Sequence, residues 1–249
     1  MAVGTEYTFT NGQSGQIVYP FGVIGILIQC WGGGGAGGSV TATGAGGGGK
    51  GGGYATIGYG SNGDDPFDNP MSDISHGIKP GGVLQINSGE GGNADGSGIG
   101  INGDPSEVIG TDKRTVFCRA TGGNGVAVNT STGQSTTNGT AVGDTIYTGG
   151  NGATTQNLAD GGGGGEGACT TSNGQAGSGA SGGSSCDGGD GGDGVVGGGA
   201  GSAGNVTGGG GGGAAYSRGS FYGGDGAHGK AIVTLYVENV VIAGMDEFL

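Results

Sequence analysis

Residues 23–38 read VIGILIQCWGGGGAGG, and the break inside that stretch decides the fold. Val23–Trp31 is a run of β-branched and apolar residues long enough for a buried strand. At Gly32 the side chains stop. Gly32–Gly38 leads to a second glycine run, Gly44–Gly53, which encloses Lys50, and strand-like alternation returns only in YATIGY at Tyr54–Tyr59.

Ordered polyglycine has few options. In an α-helix each Gly costs about 1 kcal/mol relative to Ala, so runs of this kind exclude helices. A pleated sheet of Gly packs no side chains. What remains is the three-per-turn extended geometry with a rise of about 3.1 Å per residue, which has no internal hydrogen bonds. Without β-carbons, such helices can lie close enough to bond N–H to C=O across an array, the arrangement called polyglycine II. The expected fold is therefore mostly irregular and β. A small antiparallel β-portion comes from the N- and C-terminal strands and packs with polyglycine II helices as a glycine-rich sandwich, with essentially no α-helix.

Working outward, strands are expected within 6–31, including EYTFT at Glu6–Thr10 and QIVY at Gln16–Tyr19, and at 54–59, 83–87, 115–120 and 230–237. The last, KAIVTLYV, is the clearest of all. Polyglycine II is expected mainly at 32–53, 88–103 and 161–229. Residues 60–80 are rich in Asp, Asn, Pro and Ser and read as an exposed loop. Residues 124–160, rich in Thr, Asn and Gly, have little to bury. The whole of 1–237 reads as one domain, followed by a tail, ENVVIAGMDEFL, of a different composition.

The chain has 249 residues, 75 of them Gly, and only 32% hydrophobic residues, too few for an ordinary core of this length. Five Pro and no Gly-X-Y period exclude collagen. A net charge of −13 argues against nucleic acid or an anionic membrane as partner. The apolar stretch 17–31 is too short to span a bilayer of roughly 30 Å. No basic, apolar leader is evident at the N-terminus.

Cys30, Cys118, Cys169 and Cys186 form no CxxC pair, and only His76 and His228 could join them, so a structural zinc site is not expected. A Cys169–Cys186 bridge is open to the sequence, but without an export signal free thiols are the expectation. GAGGGGK at Gly44–Lys50 imitates a phosphate loop, yet Gly51 stands where a magnesium-binding Ser or Thr should be and no helix can follow. GGDGGDGVV at Gly188–Val196 matches one calcium-binding β-roll repeat, but no tandem copy flanks it. Instead Asp187, Asp190 and Asp193 would project from one edge of a polyglycine helix at intervals of roughly 9 Å. No nucleophile elbow or partnered His is present, and neither catalysis nor a cofactor or metal is expected.

AAYSRGSFY at Ala214–Tyr222 stands out from the glycine background. Tyr216, Arg218, Phe221 and Tyr222 read in two ways: as a cap on the apolar end of the array, or as a binding surface, since aromatics with Arg are what recognition sites use.

The order of a strand ending in WGGGGAGG, then PGGVLQINSGEGG, TVFCRATGGNG, GGGAGSAGNVTGGGGGG and a closing GGDGAHGKAIVTLY resembles the glycine-rich domains of bacteriophage tail-fibre proteins and of T-even-type receptor-binding tail adhesins. The resemblance spans roughly 6–237. It implies layered polyglycine II helices and variable loops that contact a host surface receptor, an outer-membrane protein or a glycan. The candidate receptor loops are 60–80, 124–148 and 214–222. It further implies a virion location, at the tail fibre or tail tip, after synthesis in the host cytoplasm, with other fibre proteins or further copies of the chain as assembly partners and no nucleic acid or membrane insertion. T-even-type adhesins carry an attachment domain ahead of the glycine region, for which residues 1–5 leave no room. The terminal strands or the 238–249 tail are therefore expected to supply the joint. Val240, Val241, Ile242, Phe248 and Leu249 would then dock as an added strand on a neighbour or pack on their own domain. A purely structural virion or filament protein is the alternative reading, and an ice-binding protein is a remoter one.

Overall fold

The computed structural model describes residues 3–41, 43–60, 69–70, 81–94, 100–110, 112–155, 157–215 and 219–237. The chain runs through β1 (Val3–Thr10), β2 (Ser14–Val18), β3 (Val23–Trp31), β4 (Tyr54–Gly60), β5 (Asn69–Pro70), β6 (Val83–Asn87), β7 (Ser106–Gly110), β8 (Val116–Ala120), β9 (Gly122–Gly123), β10 (Thr137–Asn138), β11 (Thr145–Tyr147) and β12 (Lys230–Val237). No α-helix occurs among the described residues.

Two sheets face each other. One has the order β1-β12-β3-β4-β11, with β5 added in parallel to β4; the other is β2-β6-β7-β8, antiparallel throughout. The sequence alternation fixes which side chains face inward: Ile26, Ile28 and Cys30 of β3 and Ala231, Val233 and Leu235 of β12 are buried against Leu84, Ile86, Val108, Phe117 and Cys118 of the second sheet. Burial of the Cys30 thiol beside Cys118 pushes its pKa up, as expected of a small apolar core residue.

β7 is a strand that the sequence reading did not anticipate. Its SEVIG segment lies between β6 and β8, and Val108 there is fully buried.

The sandwich hands over to glycine along one row. Trp31 pairs with Tyr54 on one side and Lys230 on the other, so β3, β4 and β12 all meet the array at the same level. The ladder then changes its period from two to three. Gly32, Gly35 and Gly38 donate to Gly53, Lys50 and Gly47, each at 2.9 Å. Gly33 and Ala36 donate to Asp104 and Ile101, and Gly34, Gly37 and Val40 donate to Ala227, Gly224 and Phe221. One segment thus bonds to three neighbours in rotation, the hydrogen-bond signature of polyglycine II.

The same segment accepts from three more: Gly123 and Val126, Gly211 and Ala214, and Gly92. Segments 46–53, 161–168 and 208–214 follow the same rule. Gly161, Gly164 and Gly167 bond to Val195, Gly192 and Gly189, while Gly162, Gly165 and Ala168 bond to Gly46, Gly49 and Gly52. Side chains are excluded because a β-carbon on Gly34, Gly48 or Gly164 would lie within 3.0 Å of a neighbouring backbone.

The array is wider than the expected 32–53, 88–103 and 161–229. Thr121, Asn124 and Thr130 accept from Gly53, Lys50 and Gly47, and Gly150 and Ala153 from Gly51 and Gly48, so parts of 121–153 form its rim.

Candidate functional site

The direction of the segments defines two ends of the array. The chain leaves the sandwich at Gly32 and moves away toward Gly38; 46–53 returns, 161–168 returns, and 208–214 moves away again. Residues 39–41, 43–45, 127–132, 154–155, 157–160, 195–200, 215 and 219–222 therefore share the end distant from the sheets, about 20 Å away at seven residues of roughly 3.1 Å each.

Short backbone pairings tie these turns together. Val40 pairs with Phe221 through N–H···O bonds of 2.8 and 2.9 Å, and Ala215 pairs with Gly199 at 3.0 and 2.8 Å. Gly201 donates to the Tyr222 carbonyl at 3.1 Å, and Asp160 bridges to Val196. The Asn157 side chain accepts from the N–H groups of Ala159 and Asp160 at 2.8 and 2.9 Å, an Asx turn. Gly197 and Gly198, at φ 78° and 97°, supply the left-handed backbone that reverses the chain after Val196.

These turns leave apolar side chains in solvent: Leu158 is 67% exposed, Val196 72% and Tyr222 57%. Phe221 is half-buried. Of the four aromatic and basic candidates, Phe221 and Tyr222 lie on this tip, and Tyr216 and Arg218 lie outside the described residues. Leu158 and Val196 were not singled out in the sequence. The signals available were the Asn157–Asp160 turn and the Gly-Gly after Val196.

The three candidate loops do not converge. The described ends of loop 214–222 are on the tip, and 124–148 starts one turn from the sheets at Asn124, reaches the tip where Asn129 donates its N–H to Ser39, and runs back to β11. Loop 60–80 starts at Gly60, which pairs with Gly25 at the far end of β4 from the array; apart from Gly60 and Asn69–Pro70 it lies outside the described residues, as do Val240, Val241, Ile242, Phe248 and Leu249.

A second cluster is structural. Cys169 and Cys186 are joined in a disulfide, against the expectation of free thiols. The chain turns back after the 161–168 segment, and that return brings the two Cα atoms to 5.9 Å, within bridging range. Glu166 sits beside the bridge, its carboxylate and the two sulfurs lying within 4.8 Å of one another. The sulfurs are spent on each other, and the carboxylate accepts N–H bonds from Gln175, Ser185 and Cys186 at 2.8 Å each, plus the Ser185 hydroxyl at 2.7 Å. Burial pushes the Glu166 carboxyl up, but those bonds outweigh it and hold its pKa below the usual range. This is a loop clamp, not a metal centre.

Lys50 is likewise buried. Its Nζ donates to the Gly149 carbonyl and to Asn151 Oδ1, both at 2.8 Å, and burial lowers its pKa. A buried, engaged ammonium is the opposite of a phosphate-loop lysine.

Of the Asp triplet, Asp187 and Asp193 are exposed and Asp190 half-buried, in keeping with an edge. Asp187 accepts from the Thr170 hydroxyl and N–H, which hold its pKa down.

No curated protein matches the chain. A family model, the glycine-rich domain, matches residues 8–236, from within β1 to within β12, which takes in both sheets and the entire array. The chain therefore belongs to the glycine-rich domain family.

Proposed function

We propose that this protein is a phage tail-fibre or tail-tip adhesin that binds a host surface receptor, protein or glycan, without chemistry. The observation that carries the reading is the tip: Leu158, Val196 and Tyr222, distant in sequence, stand exposed on turns at one end of a cross-bonded scaffold. Exposed apolar side chains gathered at one end mark interaction sites. A rigid scaffold also reduces the ordering entropy lost when its loops bind. The order of strands and glycine runs, which resembles phage adhesins, supplies the receptor class.

The test is binding of labelled protein to candidate host cells. Leu158→Ser, Val196→Ser and Tyr222→Ala are expected to abolish or strongly weaken binding while leaving the thermal midpoint unchanged. Tyr216→Ala, Arg218→Ala and Phe221→Ala complete the series. Undiminished binding by all six would remove the tip from the argument.

A structural virion or filament subunit is the second reading. It is favoured by β1, whose outer edge has no strand partner among the described residues. Unpaired edges are templates for strand addition. Copy number separates the two: a few per particle fits an adhesin, and hundreds fit a filament or shell.

A further inference from the structure

Where the sandwich meets the array, a groove of about 410 Å³ lies between the outer face of the β1–β12 pair and the turn that precedes the 208–214 segment. Thr10 and Lys230, direct partners across the two strands, line its floor, and Val206 and Thr207 form the facing wall. Asn11 and His228 line it as well. It sits at the opposite end of the array from Leu158, Val196 and Tyr222, so it does not rest on the tip reading.

Its lining departs from the acidic average of the chain. Among the described residues no carboxylate lines it, in a chain of net charge −13. Glu6, which accepts from the Thr8 hydroxyl at 3.0 Å, lies outside the lining. Lys230 makes no ion pair among the described residues; its Nζ lies 5.6 Å from the centre of the Trp31 ring. Gly91 donates its N–H to His228 Nδ1 at 3.1 Å, so the neutral ring carries its hydrogen on Nε2 and offers a donor. The lining thus mixes hydroxyls, an amide and ring donor, one cation, and the methyls of Val206 (70% exposed) and the threonines. A pyranose has the matching character, with a C–H face and a rim of hydroxyls, and small-molecule sites of this volume are ordinary.

We propose that this groove binds an acidic saccharide, a sugar ring that carries a carboxylate. The carboxylate meets Lys230, the ring hydroxyls meet Thr10, Thr207 and His228, and the C–H face lies on Val206.

Trp31 is the single tryptophan of the chain, so its fluorescence reports on Lys230 directly. Full-length protein is titrated with glucuronate, glucose and acetate, followed by fluorescence and calorimetry. Glucuronate is expected to bind saturably, with glucose and acetate each about tenfold weaker or worse. Lys230→Gln is expected to weaken glucuronate by about tenfold or more. Val206→Asp, on an exposed wall that the fold does not need, is expected to abolish binding without changing the thermal midpoint. The proposal is overturned if glucuronate does not saturate, if glucose or acetate binds as tightly as glucuronate, or if both variants bind like the parent.

Discussion

Gly48 and Gly163 lie so close that a β-carbon on Gly48 would fall within 3.0 Å of the Gly163 carbonyl carbon and oxygen. The same two segments are bonded in phase, since Gly162 and Gly165 donate to Gly46 and Gly49 at 2.9 Å. Close approach and hydrogen bonding are therefore one constraint. Gly48→Ala is expected to destabilise by at least about 3 kcal/mol or to prevent folding. Gly179→Ala is the control: its φ is +57° but nothing lies within 4 Å of the added carbon. There the left-handed backbone alone costs about 1 kcal/mol. Equal midpoints for the two variants in urea melts would contradict the packing account.

Glu166 is the second point of sensitivity. Replacing it with Gln turns one acceptor into a donor facing the N–H groups of Gln175, Ser185 or Cys186. Glu166→Gln is expected to lose about 3 kcal/mol, since hydrogen bonds to charged groups contribute about 1.5–3 kcal/mol each and a buried donor is left unpaired. Equilibrium denaturation measures it; a loss below that of an exposed substitution would show the clamp to be idle.

Acid should act through the same group. The folded pKa values of Glu166, Asp187 and Asp112 all lie below their ordinary ones, so the stability they contribute is complete above about pH 5 and disappears as pH falls through the folded values. Stability is expected to be level from neutral pH down to about 5 and to fall below about 4. In Glu166→Gln the acid limb is expected to be shallower. An unchanged slope would assign the acid loss to other carboxylates.

The Cys169–Cys186 bridge closes a loop with a sequence separation of 17, and Cys186 is exposed while Cys169 is buried. Reduction, or Cys186→Ala, is expected to remove about 3 kcal/mol by the loop-entropy estimate. Hydrogen exchange is expected to rise at residues 170–187 first, with the β12 amides the last to open. Early exchange in β12 would show the bridge to be holding the sandwich as well.

By contrast, the pair formed by Arg119 and Glu107, cross-strand neighbours on β8 and β7 with bonds of 2.6 and 2.8 Å, is part-exposed. Arg119→Ala is expected to shift stability by less than about 1 kcal/mol. Thermal melts at low and high salt check this.

The legibility of the sequence follows from what each element needs. β3, β6 and β12 appear at Val23–Trp31, Val83–Asn87 and Lys230–Val237, as their β-branched and apolar runs predict. β7 escaped because SEVIG is short and follows Asp104-Pro105, a loop signature, and only its neighbours β6 and β8 make it a strand. The central glycine segments were legible because a position hemmed in on every side admits only Gly. The rim at Thr121, Asn124 and Thr130 was not, because it contributes carbonyls and carries ordinary side chains. The disulfide and the pairing of Asp160 with Val196 at the tip depend on segment register, as when Gly161 bonds to Val195, and no local pattern encodes that.

The three-neighbour rule of the glycine segments has a mechanical consequence. A β-sheet is bonded along one direction and can be unzipped strand by strand from its edge. A segment such as 32–38 is tied to six others around its axis, so pulling it out breaks bonds on every side together. Such a segment has no single bonded edge from which it can be peeled. Force applied at the far turns reaches the sandwich spread over many parallel ties, a construction suited to a part that must hold its shape under shear.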